Sequence, residues 1–88
     1  MRINENYVLQ EIADEYIVVP VGEAAEKICG IIKLNKAGAL LWKNMEEKNL
    51  SQEDLVQILL TEFPADIEIA RKDVSLFINQ LSEMGCLV

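Results

Sequence analysis

The spacing of hydrophobic and polar positions changes once along this chain, near residue 35. Before it, the apolar residues are β-branched or aromatic and come in short runs, "YVLQEI" (7–12) and "YIVVPV" (16–21). Runs of this length and type suit strands, and "ADE" between them suits a tight turn, so the pair reads as a hairpin. Pro20 has no amide to give to a ladder, which places it at the end of its strand or at a bulge. "GEAAEK" (22–27) is a polar connection that opens with glycine and leads into a third strand, "ICGIIKL" (28–34). The three strands form an antiparallel meander.

After residue 35 the period becomes helical. Asn35 is a good N-cap, since its side chain can accept from a free amide of the first turn. Ala37, Leu40, Leu41 and Met45 then recur at helical spacing with Trp42 beside them, which predicts a helix over 36–47, closed by Lys48-Asn49. Gly38 weakens that helix and suggests close packing against another element. Ser51 opens a second helix, with Asp54 three residues on, where a capping box would have Glu or Gln. Leu50 is placed to staple onto Leu55. The expected apolar face is Leu55, Ile58, Leu59 and Phe63, and Pro64 stops the helix. A third helix starts near Asp66 and runs to about Met84, with Gly85 as its cap. Its stripe is Ile67, Ala70, Val74, Phe77, Leu81 and Met84, a core pattern, with Ile78 on the edge of that stripe and free to touch something else.

The order β-β-β-α-α-α contains no helix that returns to a parallel strand, so a doubly wound sheet is excluded and the class is α+β, with three helices on one face of a small sheet. Eighty-eight residues make one domain, 1–88. Its 51% hydrophobic and 26% charged residues are those of a globular protein. The apolar runs are too short to cross a bilayer, and "MRINENYVLQ" lacks the apolar core of a signal peptide, so the chain reads as cytoplasmic.

Charge and chemistry narrow the function. Residues 1–44 carry six acids and five bases, while residues 45–88 carry nine acids and three bases. A chain of net charge −7 whose helical half is the acidic half is a poor partner for nucleic acid. There is no histidine, the four glycines are dispersed and form no phosphate-cradling loop, and the acid pairs lie at turns or helix ends. Cys29 and Cys86 have no CxxC spacing and read as reduced, buried side chains, with no metal set and no cofactor. The chain reads as a binding module, not an enzyme.

Strand three carries the binding hypothesis. In a meander its second side is a sheet edge, and "CGIIKL" blunts that edge only with Lys33. A groove floored by the edge and walled by a helix would suit an extended peptide adding as a fourth strand. The plain alternative is that helix three or a loop covers the edge.

"GEAAEKICGIIKLNKAGALLWKNM" resembles the Gly-(x)n-Gly-x-x-x-Leu-Asn-x-x-Gly-x-x-x-Trp pattern of PqqD-like proteins, the recognition elements for precursors of ribosomally made, modified peptides. "DVSLFINQLSEMGCLV" is similar to the family's closing Asp-x-x-x-Phe-x-x-x-Leu-x-x-x-Gly helix, so the resemblance spans about Tyr7 to Val88. It implies a winged-helix-like fold and a non-catalytic peptide chaperone. Such a chaperone binds a leader peptide as a strand between strand three and helix three. It then presents the peptide to a modifying enzyme, often a radical S-adenosylmethionine protein. Carried over residue by residue, the strand wall is Cys29, Gly30, Ile31, Ile32, Lys33 and Leu34, and the helix wall comes from Arg71, Val74, Ser75, Ile78 and Leu81. Members of the quinone pathway tend to have a tight Pro-Glu-Gly turn before strand three. Here Pro20 is followed by the longer "VGEAAEKICG", which favours a related peptide-maturation system.

Two other readings stay open. The element order permits a winged-helix DNA-binding regulator, although "SQEDLVQILLTEF" has acids and no Lys or Arg for a major groove. A structural homodimer through paired strand-three edges is compatible with peptide binding, because a dimer would mask the site until peptide competes.

Overall fold

A two-residue turn fixes the hairpin. In the computed structural model, which describes residues 1–23, 25 and 32–88, Ala13 (φ 49°) and Asp14 (φ 67°) both have left-handed backbone. Two central residues with positive φ give the turn a twist that matches the flanking strands. β1 (Tyr7–Ile12) and β2 (Glu15–Pro20) therefore pair from Ile12 opposite Glu15 to Tyr7 opposite Pro20. The turn is one residue shorter than "ADE", and Glu15 belongs to the strand. Pro20 closes β2, as its missing amide requires.

β3 (Ile32–Leu34) pairs antiparallel with β2, Lys33 opposite Ile17, and the sheet order is β1-β2-β3. The first part of the expected third strand, with Cys29, Gly30 and Ile31, lies outside the described residues. Alternation sends Tyr7, Val18, Ile32 and Leu34 into the core, each at most 6% exposed. Lys33 points the other way and pairs with Glu15, Nζ to Oε1 2.7 Å.

All three helices begin where expected, the first two at their expected caps. α1 (Lys36–Glu47) starts at Asn35, whose Oδ1 accepts from the Gly38 amide at 2.7 Å. Ala39, Leu41, Trp42 and Met45 are buried, whereas the expected Leu40 is only half-buried. α2 (Gln52–Glu62) carries a full capping box: the Asp54 amide donates to Ser51 Oγ at 3.1 Å and the Ser51 amide donates to Asp54 Oδ2 at 3.0 Å. Its buried face is Leu55, Val56 and Leu59. The expected Phe63 is 40% exposed. It is the residue after the helix, at φ −130° and ψ 82°, so its side chain leaves the helical stripe, while Val56, outside the expected face, is buried.

α3 (Ile67–Glu83) starts at Asp66, whose side chain accepts from the Glu68 amide at 2.8 Å. Ala70, Val74 and Leu81 are buried. Ile67, expected in that stripe, is 41% exposed, one turn before the buried run begins. The helix ends in a Schellman motif: Gly85 (φ 77°) donates to the Ser82 carbonyl at 3.1 Å and Cys86 to the Leu81 carbonyl at 2.9 Å. The chain then returns beside its start. Ile3 bridges Leu87, the Asn4 amide donates to the Cys86 carbonyl at 2.7 Å, and Tyr7 Oη donates to the Met84 carbonyl at 2.9 Å.

The core joins sheet and helices around Trp42, Met45, Leu55 and Leu81. Among the described residues Trp42 Nε1 has no hydrogen-bond partner. Among the described residues no helix is long and apolar enough to cross a membrane. Burial pushes the Cys86 thiol up to about 11. Burial also raises Tyr7, with Cys86 beside it adding to the effect.

Two predictions rest on these local devices. The Ser51 amide, with the hydroxyl next, holds the Asp54 carboxyl below its ordinary value. A lowered carboxylate stabilises above its unfolded value and loses that contribution as pH falls through the folded one. Ser51→Ala removes the cap hydroxyl and should cost about 1 kcal/mol in urea unfolding at neutral pH, while Asp54→Asn should remove the loss of stability that wild type shows in acid. For Cys86 the sign is opposite, because a raised thiol leaves more protons on the folded state and stability falls as pH rises toward 11. Iodoacetamide at mildly alkaline pH should label Cys86 only on unfolding, read by mass spectrometry. Labelling of the native protein at the rate of a free thiol would contradict the burial.

Candidate functional site

The site grows from the place where the sheet stops. β2 occupies one side of β3, and among the described residues no strand pairs with its other side. A single residue, Asn35, separates the end of β3 from the start of α1. The cap therefore ties the direction of the open edge to that of the helix.

An open cavity of about 430 Å³ lies against this junction. Lys33 and Leu34 of β3 and Ala37, Gly38 and Leu41 of α1 line one side. Ala70, Asp73, Phe77 and Gln80 of α3 line the other, and Leu59, Phe63 and Ala65 contribute from α2 and the turn after it. Gly38 sets how closely the walls approach. A Cβ there would stand 3.3 Å from Asn35 Oδ1 and 3.4 Å from Phe77 Cε1, tighter than ordinary contact. Leu76 lines it too, and both Leu76 and Phe63 are exposed large hydrophobic residues, at 59% and 40%.

Such a lining can bury apolar side chains and offer hydrogen bonds from a few polar groups. Lys33 and Asp73 are its two charged residues. Among the described residues no group of His, Cys, Asp or Glu is placed to hold a metal ion.

The expected wall residues fall as follows. Lys33 and Leu34 line the cavity, and Ile32 lies in the core beneath the strand. Cys29, Gly30 and Ile31 are outside the described residues. On α3, Val74 and Leu81 are wholly buried, Ser75 and Ile78 are half-buried, and Ile78 packs against the core. Arg71 is exposed and pairs with Glu53 of α2 at 3.2 Å. None of these five lines the cavity. The lining stripe is the neighbouring one, about 100° around the helix, made of Ala70, Asp73, Phe77 and Gln80 with Leu76 beside it. A signal for it exists in the sequence: Leu76 is an apolar residue that fits no core spacing with Ala70, Val74 and Leu81.

The fold matches solved structures of known proteins. TbiB1 in complex with the TbiA(beta) leader peptide superposes with a TM-score of 0.77 at 21% identity, over 99% of this chain and 94% of that one. Lasso peptide synthetase B1 complexed with the leader peptide gives 0.75 at 18% identity, over 99% and 95%. No curated protein matches the sequence. The family model of coenzyme PQQ synthesis protein D matches residues 15–87, a span holding the sheet junction, the cavity and all three helices. The chain belongs to the PqqD family.

Proposed function

We propose that the protein is a non-catalytic peptide chaperone of the cytoplasm. It holds the leader segment of a ribosomally made precursor in the groove between β3 and α3. The leader adds as a fourth strand on the free edge of β3 and is presented to a modifying enzyme, a radical S-adenosylmethionine protein being the partner type the family suggests. One observation carries the reading: the edge of β3, unpaired among the described residues, adjoins an open cavity of about 430 Å³ lined by apolar and a few polar side chains. Support comes from the two structural neighbours, both solved with leader peptides bound.

The energetics suit this division of labour. Main-chain bonds to β3 contribute on the order of 1 kcal/mol each after water is exchanged. A bulky side chain moved from water into the cavity adds roughly 1.5–3 kcal/mol. A few of each reach micromolar affinity, which corresponds to about 8 kcal/mol. The edge supplies alignment and the cavity supplies selectivity.

An amide chemical-shift titration with the leader half of a short precursor encoded beside this protein tests the reading. Shifts should gather on Ile32–Leu34, the first turn of α1 and the Ala70–Gln80 face of α3. Leu76→Glu, a change at an exposed position, should leave the fold intact and weaken binding at least tenfold, roughly the cost of desolvating a charge at the groove mouth. Val8→Glu, on an exposed position of β1 remote from the groove, should change nothing. Shifts confined to β1, or Leu76→Glu binding like wild type, would remove the groove from the function.

A further inference from the structure

Charge at the cavity is unevenly compensated. Its lining has one cation and one anion, Lys33 and Asp73. Lys33 is already engaged, its Nζ 2.7 Å from Glu15 Oε1, and Glu15 lies outside the lining. Asp73 has no ion-pair partner among the described residues. Its neighbours one turn away on α3 are Ile69, Ala70, Leu76 and Phe77, all apolar, and only residues three and four apart meet on a helix surface. Lys72 is next in sequence and is directed about 100° away around the helix. On its own helix the carboxylate thus has apolar neighbours one turn away on either side, and no cation pairs with it among the described residues.

In the empty groove water solvates it. A peptide lying between β3 and α3 displaces that water, and a charge stripped of water without a partner is costly. From this we infer that the peptide accepted here carries a basic side chain, Lys or Arg, against Asp73, next to bulky apolar side chains that fill the cavity. The inference rests on the recognition reading above and specifies its ligand. An acidic side chain at that position is excluded by repulsion, which gives the groove selectivity as well as affinity. The net charge of −6 over residues 45–88, nine acids against three bases, draws a basic segment toward the same side.

The volume sets the second half of the class. An apolar cavity of about 150 Å³ already takes a benzene ring, so 430 Å³ accepts more than one large side chain. Side chains of an added strand point to the same face at every second residue. The apolar positions of the ligand therefore alternate.

Random peptides displayed on phage, selected against the wild-type protein and against Asp73→Lys, test this whatever the natural leader is. The wild type should enrich alternating apolar residues with Lys or Arg at one fixed position, and Asp73→Lys should enrich Asp or Glu there. For one selected peptide, replacing the basic residue with Glu should weaken binding to wild type by roughly tenfold, and Asp73→Lys should restore it. Circular dichroism checks that the variant, changed at an exposed position, is folded. The same apolar consensus from both proteins with no charge preference would overturn this inference and leave peptide recognition standing. No consensus from either folded protein would overturn both.

Discussion

Everything at the candidate site depends on one short hydrogen bond, from the Gly38 amide to Asn35 Oδ1 at 2.7 Å. Asn35 is the single residue between strand and helix, so this bond both starts α1 and aims it. Leu34 before it and Ala37 and Gly38 after it then face one cavity. The donor's lack of a side chain lets the walls come close, since a Cβ there would stand 3.3 Å from Asn35 Oδ1 and 3.4 Å from Phe77 Cε1. One cap thus holds the open strand edge and two helices in a fixed relation. A hinge at this point would leave the edge exposed but the groove without a shape.

That cap was legible in the sequence because capping is local. Asn35, Ser51 and Asp66 each announce a helix within three residues, and all three act as N-caps in the structure. Gly85 likewise marks the end of α3 through its positive φ. Legibility fails where a distant element decides. Phe63 leaves the core because α2 terminates at it, which periodicity does not encode. The bridge from Ile3 to Leu87 joins residues at opposite ends of the chain, and neither lies in a run that reads as a strand. The expected α3 residues miss the cavity lining for a finer reason. Core stripe and groove stripe are neighbours on α3, one residue apart, and hydrophobicity favours the core for both; Phe77 reads as core and serves as floor.

An open edge is a liability as well as a tool, since unpaired strands aggregate. Here β3 is short over its described residues and its one outward side chain is a lysine bonded to Glu15 across the sheet. Charge on the outer face discourages other sheets from stacking, yet it leaves the main-chain groups on the edge free. The rival uses of the fold sit less easily with these features. A DNA-reading α2 would bring Glu53 and Asp54 toward phosphates with no Lys or Arg on that helix to offset them. A dimer of paired β3 edges would consume the same main-chain groups a peptide needs, so it could regulate the site but could not share it.

In the proposed recognition reading, two sources of affinity in the groove answer different questions. Main-chain pairing along β3 is indifferent to sequence, because every residue but proline brings the same donor and acceptor. Left alone it would accept any extended chain. Discrimination has to come from the cavity and from Asp73, which respond to side-chain size and charge. These lie on α3 and around the cap, while the pairing edge lies on the sheet. Since the Asn35 joint fixes the distance between them, a peptide can satisfy both only in one register. In that reading, rigidity at the joint converts a permissive edge into a selective site.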